Sequence, residues 1–231
     1  MQGTSNINYL EFDQLADQSH FLAHKVADIL QSQITRNEQA SLAVSGGSTP
    51  KKLFTLLSLI DIEWQKVTIT LVDDRWLPAD HKDSNQQLVA QNLLQNYAAK
   101  AHFIGLYHSD LAADQAIPTI NSHFSNVALP FDVILLGMGN DGHTASLFPC
   151  CQQIDAGLAT SDLYLATHPN TAEYARISLS ADAIDQAKNL FLQIKGTDKQ
   201  RTLSTALAGD NVREMPIRRF LNNKITVLWC P

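Results

Sequence analysis

Apolar positions along this chain follow two different periods. Phe12, Leu15, Ser19, Leu22, Ala23, Val26, Ile29 and Leu30 recur at three- and four-residue spacing, which predicts a long amphipathic first helix. SLAV (41–44) predicts a short buried strand that ends in SGGSTP. Lys51 to Ile60 reads as a helix, with Pro50 suited to its first turn. VTITLV (67–72) is a β-branched strand, and after a polar loop Ser84 can cap a helix carrying Leu88, Leu93 and Leu94. FDVILLG (131–137) is the clearest strand, nearly all apolar as a central parallel strand must be. A possible short strand, ISLS, follows Arg176. NLFLQI (189–194), a helix from about Asp198 to Ala208, and the strand ITVLW (225–229) close the pattern.

Strands and helices in this alternation predict an α/β fold. The expectation is a single layered domain over residues 1–231, with a mostly parallel, Rossmann-like sheet flanked by helices. Ligands of such sheets bind beyond the carboxyl ends of the strands, so the informative loops are those after positions 44, 72, 137 and 194.

Composition narrows the function classes. Of 231 residues 45% are hydrophobic and 17% charged, too apolar for a disordered chain. No apolar run approaches the ~18 residues of a membrane helix. The net charge is −6, with no basic patch at chain scale, which argues against nucleic acid. The charge is uneven: residues 1–175 hold 8 basic and 18 acidic side chains, residues 176–231 hold 9 and 5. Cys150, Cys151 and Cys230 are odd in number, and two are adjacent, which favours free thiols in a reducing cytoplasm. The first residues, MQGTSNINYLEFD, lack the basic and apolar regions of a secretory signal.

Four loops could carry chemistry. Ser45-Gly46-Gly47-Ser48-Thr49-Pro50 offers backbone N–H groups, two hydroxyls and a helix start, the parts of an anion cradle without P-loop spacing. Asp73-Asp74-Arg75, at a strand end, offers acid, base and charge-stabilising groups. Gly137-Met138-Gly139-Asn140-Asp141-Gly142-His143 matches G-x-G-x-x-G formally. Asp141 would oppose a pyrophosphate, however, and Pro149 leaves little room for the following helix. The same turn reads better as a display of Asp141 and His143, since imidazole titrates near neutrality and can act as a general base. Arg176, Lys195, Lys199 and Arg201 supply cations, only one or two of which should touch a ligand. His20 and His24 lie four apart without a further metal-ligating partner motif.

SGGSTP, VDDRWLP with Ser84-Asn85, GMGNDGHTASLFP and IKGTDK occur in this order over about residues 40–200. Together they resemble the family shared by 6-phosphogluconolactonases and glucosamine-6-phosphate isomerase/deaminases, on its lactonase side. The resemblance implies hydrolysis of 6-phospho-D-glucono-1,5-lactone, a step of the oxidative pentose phosphate pathway, with no metal and no organic cofactor. By resemblance His143 is the general base, with Asp141 or Asp73 to orient it, and Arg75 faces the lactone. Ser45, Gly46, Gly47 and Ser48 form the phosphate loop, with Asp73 beside the substrate and Arg176 and Lys199 on the phosphate. The expected partner is a small sugar phosphate, with no nucleic acid or membrane, for a monomer or weak homo-oligomer. The family's motif reads V-D-E-R where this chain has Asp74, so Arg75 could change its pairing partner. The deaminase branch carries a Glu that supports its His; Phe148 stands there instead, and an apolar ring cannot do that work. A non-catalytic sugar-phosphate module is the third reading. It would lack His143 and usually carry a helix-turn-helix, for which these residues leave no room.

Overall fold

The computed structural model describes residues 7–231, so residues 1–6 of the stretch read as lacking a secretory signal lie outside the described part. In chain order the elements begin with β1 (Asn8–Glu11), α1 (Leu15–Asn37), β2 (Ala40–Val44) and α2 (Lys51–Ser58). Then come β3 (Val67–Leu71), β4 (Asp73–Arg75), α3 (Asn85–Asn92), β5 (His102–Ile104) and α4 (Ala113–Ser122). They continue with β6 (Val133–Leu136), α5 (Ile154–Ala159), β7 (Tyr164–Thr167), β8 (Arg176–Leu179) and α6 (Ala181–Asp185). β9 (Leu190–Lys195), α7 (Thr197–Leu207) and β10 (Ile225–Cys230) complete the list.

The central sheet has seven strands in the order β1-β10-β9-β6-β2-β3-β5, every pair parallel. β2 and β6 are buried along their whole length, and β9 up to Lys195, which explains their mostly apolar runs. The path from β2 goes to β3 and β5 on one side and to β6, β9 and β10 on the other. Strand order therefore reverses between β2 and β6, and a crevice opens at their carboxyl ends.

The predicted helices and central strands form where the periodicity put them, with shifted ends. α1 continues past Leu30 because Ile34 extends its buried stripe; it stops at Glu38, whose φ of 60° is left-handed and whose N–H donates to the Ile34 carbonyl. Ser84 caps α3, its hydroxyl accepting from the N–H groups of Gln86 and Gln87. No helix follows Gly142 at once; Thr144 and Leu147 close a tight bridge and α5 begins only at Ile154.

A second sheet is the main departure from expectation. β4, β8 and β7 form an antiparallel three-stranded sheet, order β4-β8-β7. It brings Asp73, Asp74 and Arg75 opposite Ser178, Ile177 and Arg176. The acidic loop read after position 72 is thus a strand, tied to a partner about a hundred residues on. No described helix is long and apolar enough to cross a membrane.

Candidate active site

The four motif loops converge on one cavity of about 420 Å³ above the crevice between β2 and β6. From the first loop come Ser45, Gly46, Gly47 and Ser48. The second sheet adds Asp73, Arg75 and Arg176, the turn after β6 adds His143, and α7 adds Lys199. Asp141 stands behind His143 and is not itself part of the wall. Lys195 also lines the cavity; Arg201 does not, and its exposed guanidinium pairs with Asp198 at 3.3 Å.

The turn after β6 owes its glycines to its own folding. Gly142 sits at φ +78°, and a Cβ there would meet the Met215 side chain at 2.7 Å. A Cβ on Gly139 would lie 2.1 Å from His143 Nδ1, so only glycine lets the ring lie back over the turn. The G-x-G-x-x-G spacing thus serves the placement of a histidine. The Gly139 N–H donates to the His143 carbonyl at 2.8 Å, and the Ile217 N–H donates to the Gly142 carbonyl at 2.9 Å.

His143 Nδ1 lies 2.6 Å from Asp141 Oδ1, and the same oxygen accepts from the His143 N–H at 3.2 Å. With Nδ1 bearing the proton toward the carboxylate, Nε2 is the acceptor of the neutral ring. Burial pushes the Asp141 carboxyl up, but the hydrogen bond and charge of His143 outweigh it and leave Asp141 below the usual carboxylate range. Of the two acids left open by the sequence, Asp141 is the one in contact with His143. The imidazole stacks on Phe148, centroids 3.9 Å apart at 28°, with Arg176 on that ring at 5.9 Å.

The second sheet organises the opposite wall. Asp73 is buried and accepts from the Ser146 hydroxyl at 2.6 Å. Asp74 is no ion-pair partner of the Arg75 guanidinium. Its carboxylate accepts from the N–H groups of Arg75, Asn85 and Gln86 and from the Ser84 hydroxyl, at 2.7–3.0 Å, and so ties β4 to the start of α3. Burial pushes Asp74 up to about 6 in spite of these donors. Arg75 Nη1 instead donates to the Asp83 carbonyl, so the shifted partner is a backbone oxygen. Burial lowers Arg176, with Asp73 acting against it; burial likewise lowers Lys199, with Asp141 acting against it.

Two site residues are given no role by the sequence reading, although Asn85 stands in one of its motifs. Asn85 Nδ2 donates to the Asp73 carbonyl at 2.8 Å, and its Oδ1 would be 1.8 Å from a Cβ on Gly46, so the glycine makes room for the amide. Gln193, in the buried run of β9, also lines the cavity. A polar residue inside an otherwise apolar strand was the available signal. Five buried side-chain polar atoms among the described residues have no partner, and three of them, Ser45 Oγ, Arg176 Nε and Gln193 Oε1, belong to residues of this one wall. Buried polar groups are normally paired, so this concentration marks a place for a polar ligand.

The basic tail has a separate use. Arg218 donates to the carbonyls of Ala206, Thr205 and Asn211 and to Glu214, at 3.0–3.3 Å, and closes the end of α7. Arg219 pairs with Asp185 at 2.6 Å. Among the described residues no group of three or more His, Cys, Asp or Glu side chains could hold a metal ion. His20 and His24 sit exposed on α1 with ring centroids 4.5 Å apart.

Comparison with known proteins gives the family. Residues 13–229 match the family model described as glucosamine-6-phosphate isomerases/6-phosphogluconolactonase. The chain belongs to this family. It is 40% identical over 212 residues to a 6-phosphogluconolactonase of Pseudomonas putida, covering 91% of this chain and 87% of that one. It is 39% identical over 218 residues to the same-named protein of Pseudomonas aeruginosa, with 94% and 92% covered. Among solved structures, a 6-phosphogluconolactonase from Shewanella baltica superposes with a TM-score of 0.97 at 42% identity, over 99% of both chains.

Proposed function

We propose that this chain hydrolyses 6-phospho-D-glucono-1,5-lactone to 6-phosphogluconate, with His143 as general base. The observation that carries the reading is the Asp141–His143 pair, 2.6 Å apart, set at a cavity walled by Arg75, Arg176, Lys195 and Lys199. Neutral His143 accepts a proton at Nε2 from water while the water oxygen bonds to lactone C1. The imidazolium so formed stays against the Asp141 carboxylate. The lactone carbonyl oxygen becomes an oxyanion, which the fixed charge of Arg75 stabilises. The intermediate collapses by breaking the bond from C1 to the ring oxygen. That oxygen takes the proton from His143, and the new carboxylic acid ionises into solution.

Phosphate recognition supplies positioning. The Ser45–Ser48 loop, Arg176 and Lys199 hold the dianion, and binding energy far from C1 fixes C1 against the base. The isomerase/deaminase alternative is disfavoured at Phe148, which puts an apolar ring in stacking contact with His143. A merely binding module has no use for the Asp141–His143 pair. A sugar phosphate is the small-molecule partner, and the free thiols of Cys150, Cys151 and Cys230 suit a reducing cytoplasm. No metal or organic cofactor takes part in these steps.

The test offers fresh lactone and follows acid release above the spontaneous rate, with glucosamine-6-phosphate assayed in parallel for ammonia. Acid release without ammonia is expected. Ammonia without lactone hydrolysis overturns the assignment. Lys199→Ala should raise KM chiefly and change kcat less.

A further inference from the structure

We infer that Gln193 selects which part of the substrate lies at the β9 end of the cavity, by offering a hydrogen-bond acceptor to a sugar hydroxyl, with Gln18 as its positioning residue. The inference rests on the lactonase reading and names a recognition element within it. Gln18, on α1, is fully buried. Its Nε2 donates to the Ile194 carbonyl at 3.0 Å. A backbone carbonyl can only accept, so the direction of the Gln18 amide is fixed by chemistry. Gln18 Oε1 must then face Gln193, and it accepts from Gln193 Nε2 at 3.0 Å. The Gln193 amide is fixed in turn, with one N–H of its Nε2 given to Gln18 and its Oε1 without a partner among the described residues.

Position gives this orphan oxygen its meaning. Gln193 is 6% exposed and lines the cavity, on the same face of β9 as Lys195, two residues further on. An unpaired buried acceptor costs free energy unless something donates to it. The sugar hydroxyls of the lactone are donors; a phosphate dianion offers only acceptors. A carbonyl oxygen therefore welcomes the hydroxylated ring and opposes the phosphate, while the neighbouring cations do the reverse. Two amides 175 residues apart in sequence thus set the sense in which the substrate enters.

The experiment measures kcat and KM of wild type, Gln193→Met and Gln18→Met on 6-phosphogluconolactone and on its 2-, 3- and 4-deoxy analogues, with thermal midpoints as a check of folding. Methionine fills the volume of glutamine without an acceptor. In wild type, one deoxy analogue should lose about tenfold in kcat/KM. Gln193→Met should lose about tenfold on the full substrate and nothing further on that analogue. Gln18→Met should show a smaller loss of the same selectivity, and no loss when Gln193 is already Met. Equal selectivity among analogues in active wild type and active Gln193→Met overturns the inference and leaves the lactonase reading standing. Wild type without activity on the full substrate overturns both. Should Gln18→Met fail to fold, the comparison of wild type with Gln193→Met decides alone.

Discussion

Polar groups are buried at both ends of the parallel sheet, and the two ends treat them differently. At the amino end, Asp132 precedes β6 and is almost fully buried. It accepts from the Ser41 N–H at 2.8 Å, from the Ser41 hydroxyl at 3.3 Å and from Lys188 Nζ at 2.7 Å. This cluster staples β2, β6 and β9 together. At the carboxyl end, Ser45 Oγ, Arg176 Nε and Gln193 Oε1 are buried without partners among the described residues. The same backbone thus ends in a closed polar cluster on one side and an open one on the other. Satisfied buried groups serve the fold; unsatisfied ones, gathered at one cavity, serve a ligand.

That contrast can be broken by measurement. Asp132→Ala strands the Ser41 donors and frees Lys188, and should cost about 3 kcal/mol of stability. Urea unfolding measures the cost, and kcat/KM of the folded enzyme should not move. Arg176→Met should do the opposite: it removes a buried, incompletely paired cation, so the thermal midpoint should hold or rise. KM should increase about 30-fold, or about 2 kcal/mol, through loss of a charged hydrogen bond to phosphate. A fall in both stability and affinity would make Arg176 part of the fold.

Arg218→Lys tests a smaller coupling. Lysine cannot serve the scattered acceptors of the guanidinium, so the segment that bonds Gly142 should loosen. The expected loss is about 1 kcal/mol of stability and a few-fold in kcat, by unfolding and steady-state kinetics. A pH-dependent contrast concerns Asp74. Its folded carboxyl lies at about 6, above the ordinary 3.8. The folded state therefore keeps a proton that the unfolded state has lost, and this contribution to stability is complete below about pH 4 and fades as pH rises through about 6. Urea midpoints from pH 4 to 6 should fall for wild type relative to Asp74→Asn; a constant difference would contradict the assignment.

What could be read from sequence follows the range of the interactions. The buried strands β2, β6 and β9 announce themselves because their environment is uniform along their length. β4 does not, because Asp73-Asp74-Arg75 becomes a strand only through β8. α4 is masked by Pro118 inside it and by Ala112 at its start, and β5 is a three-residue edge. The Asp141–His143 pair is legible because its determinants lie within a few residues of one another. Gln193 is not, since its meaning depends on Gln18 across the whole chain. Arg218 and Arg219 bind the end of α7 and Asp185, contacts that no local pattern announces.

The proposed chemistry at the open end of the sheet runs through His143. The most direct measurement is kcat of lactone hydrolysis for His143→Ala, corrected for spontaneous opening, alongside its thermal midpoint. A fall of about a thousandfold is expected, within the range of a lost general base, with an essentially unchanged midpoint. Undiminished kcat in a folded His143→Ala enzyme would contradict it.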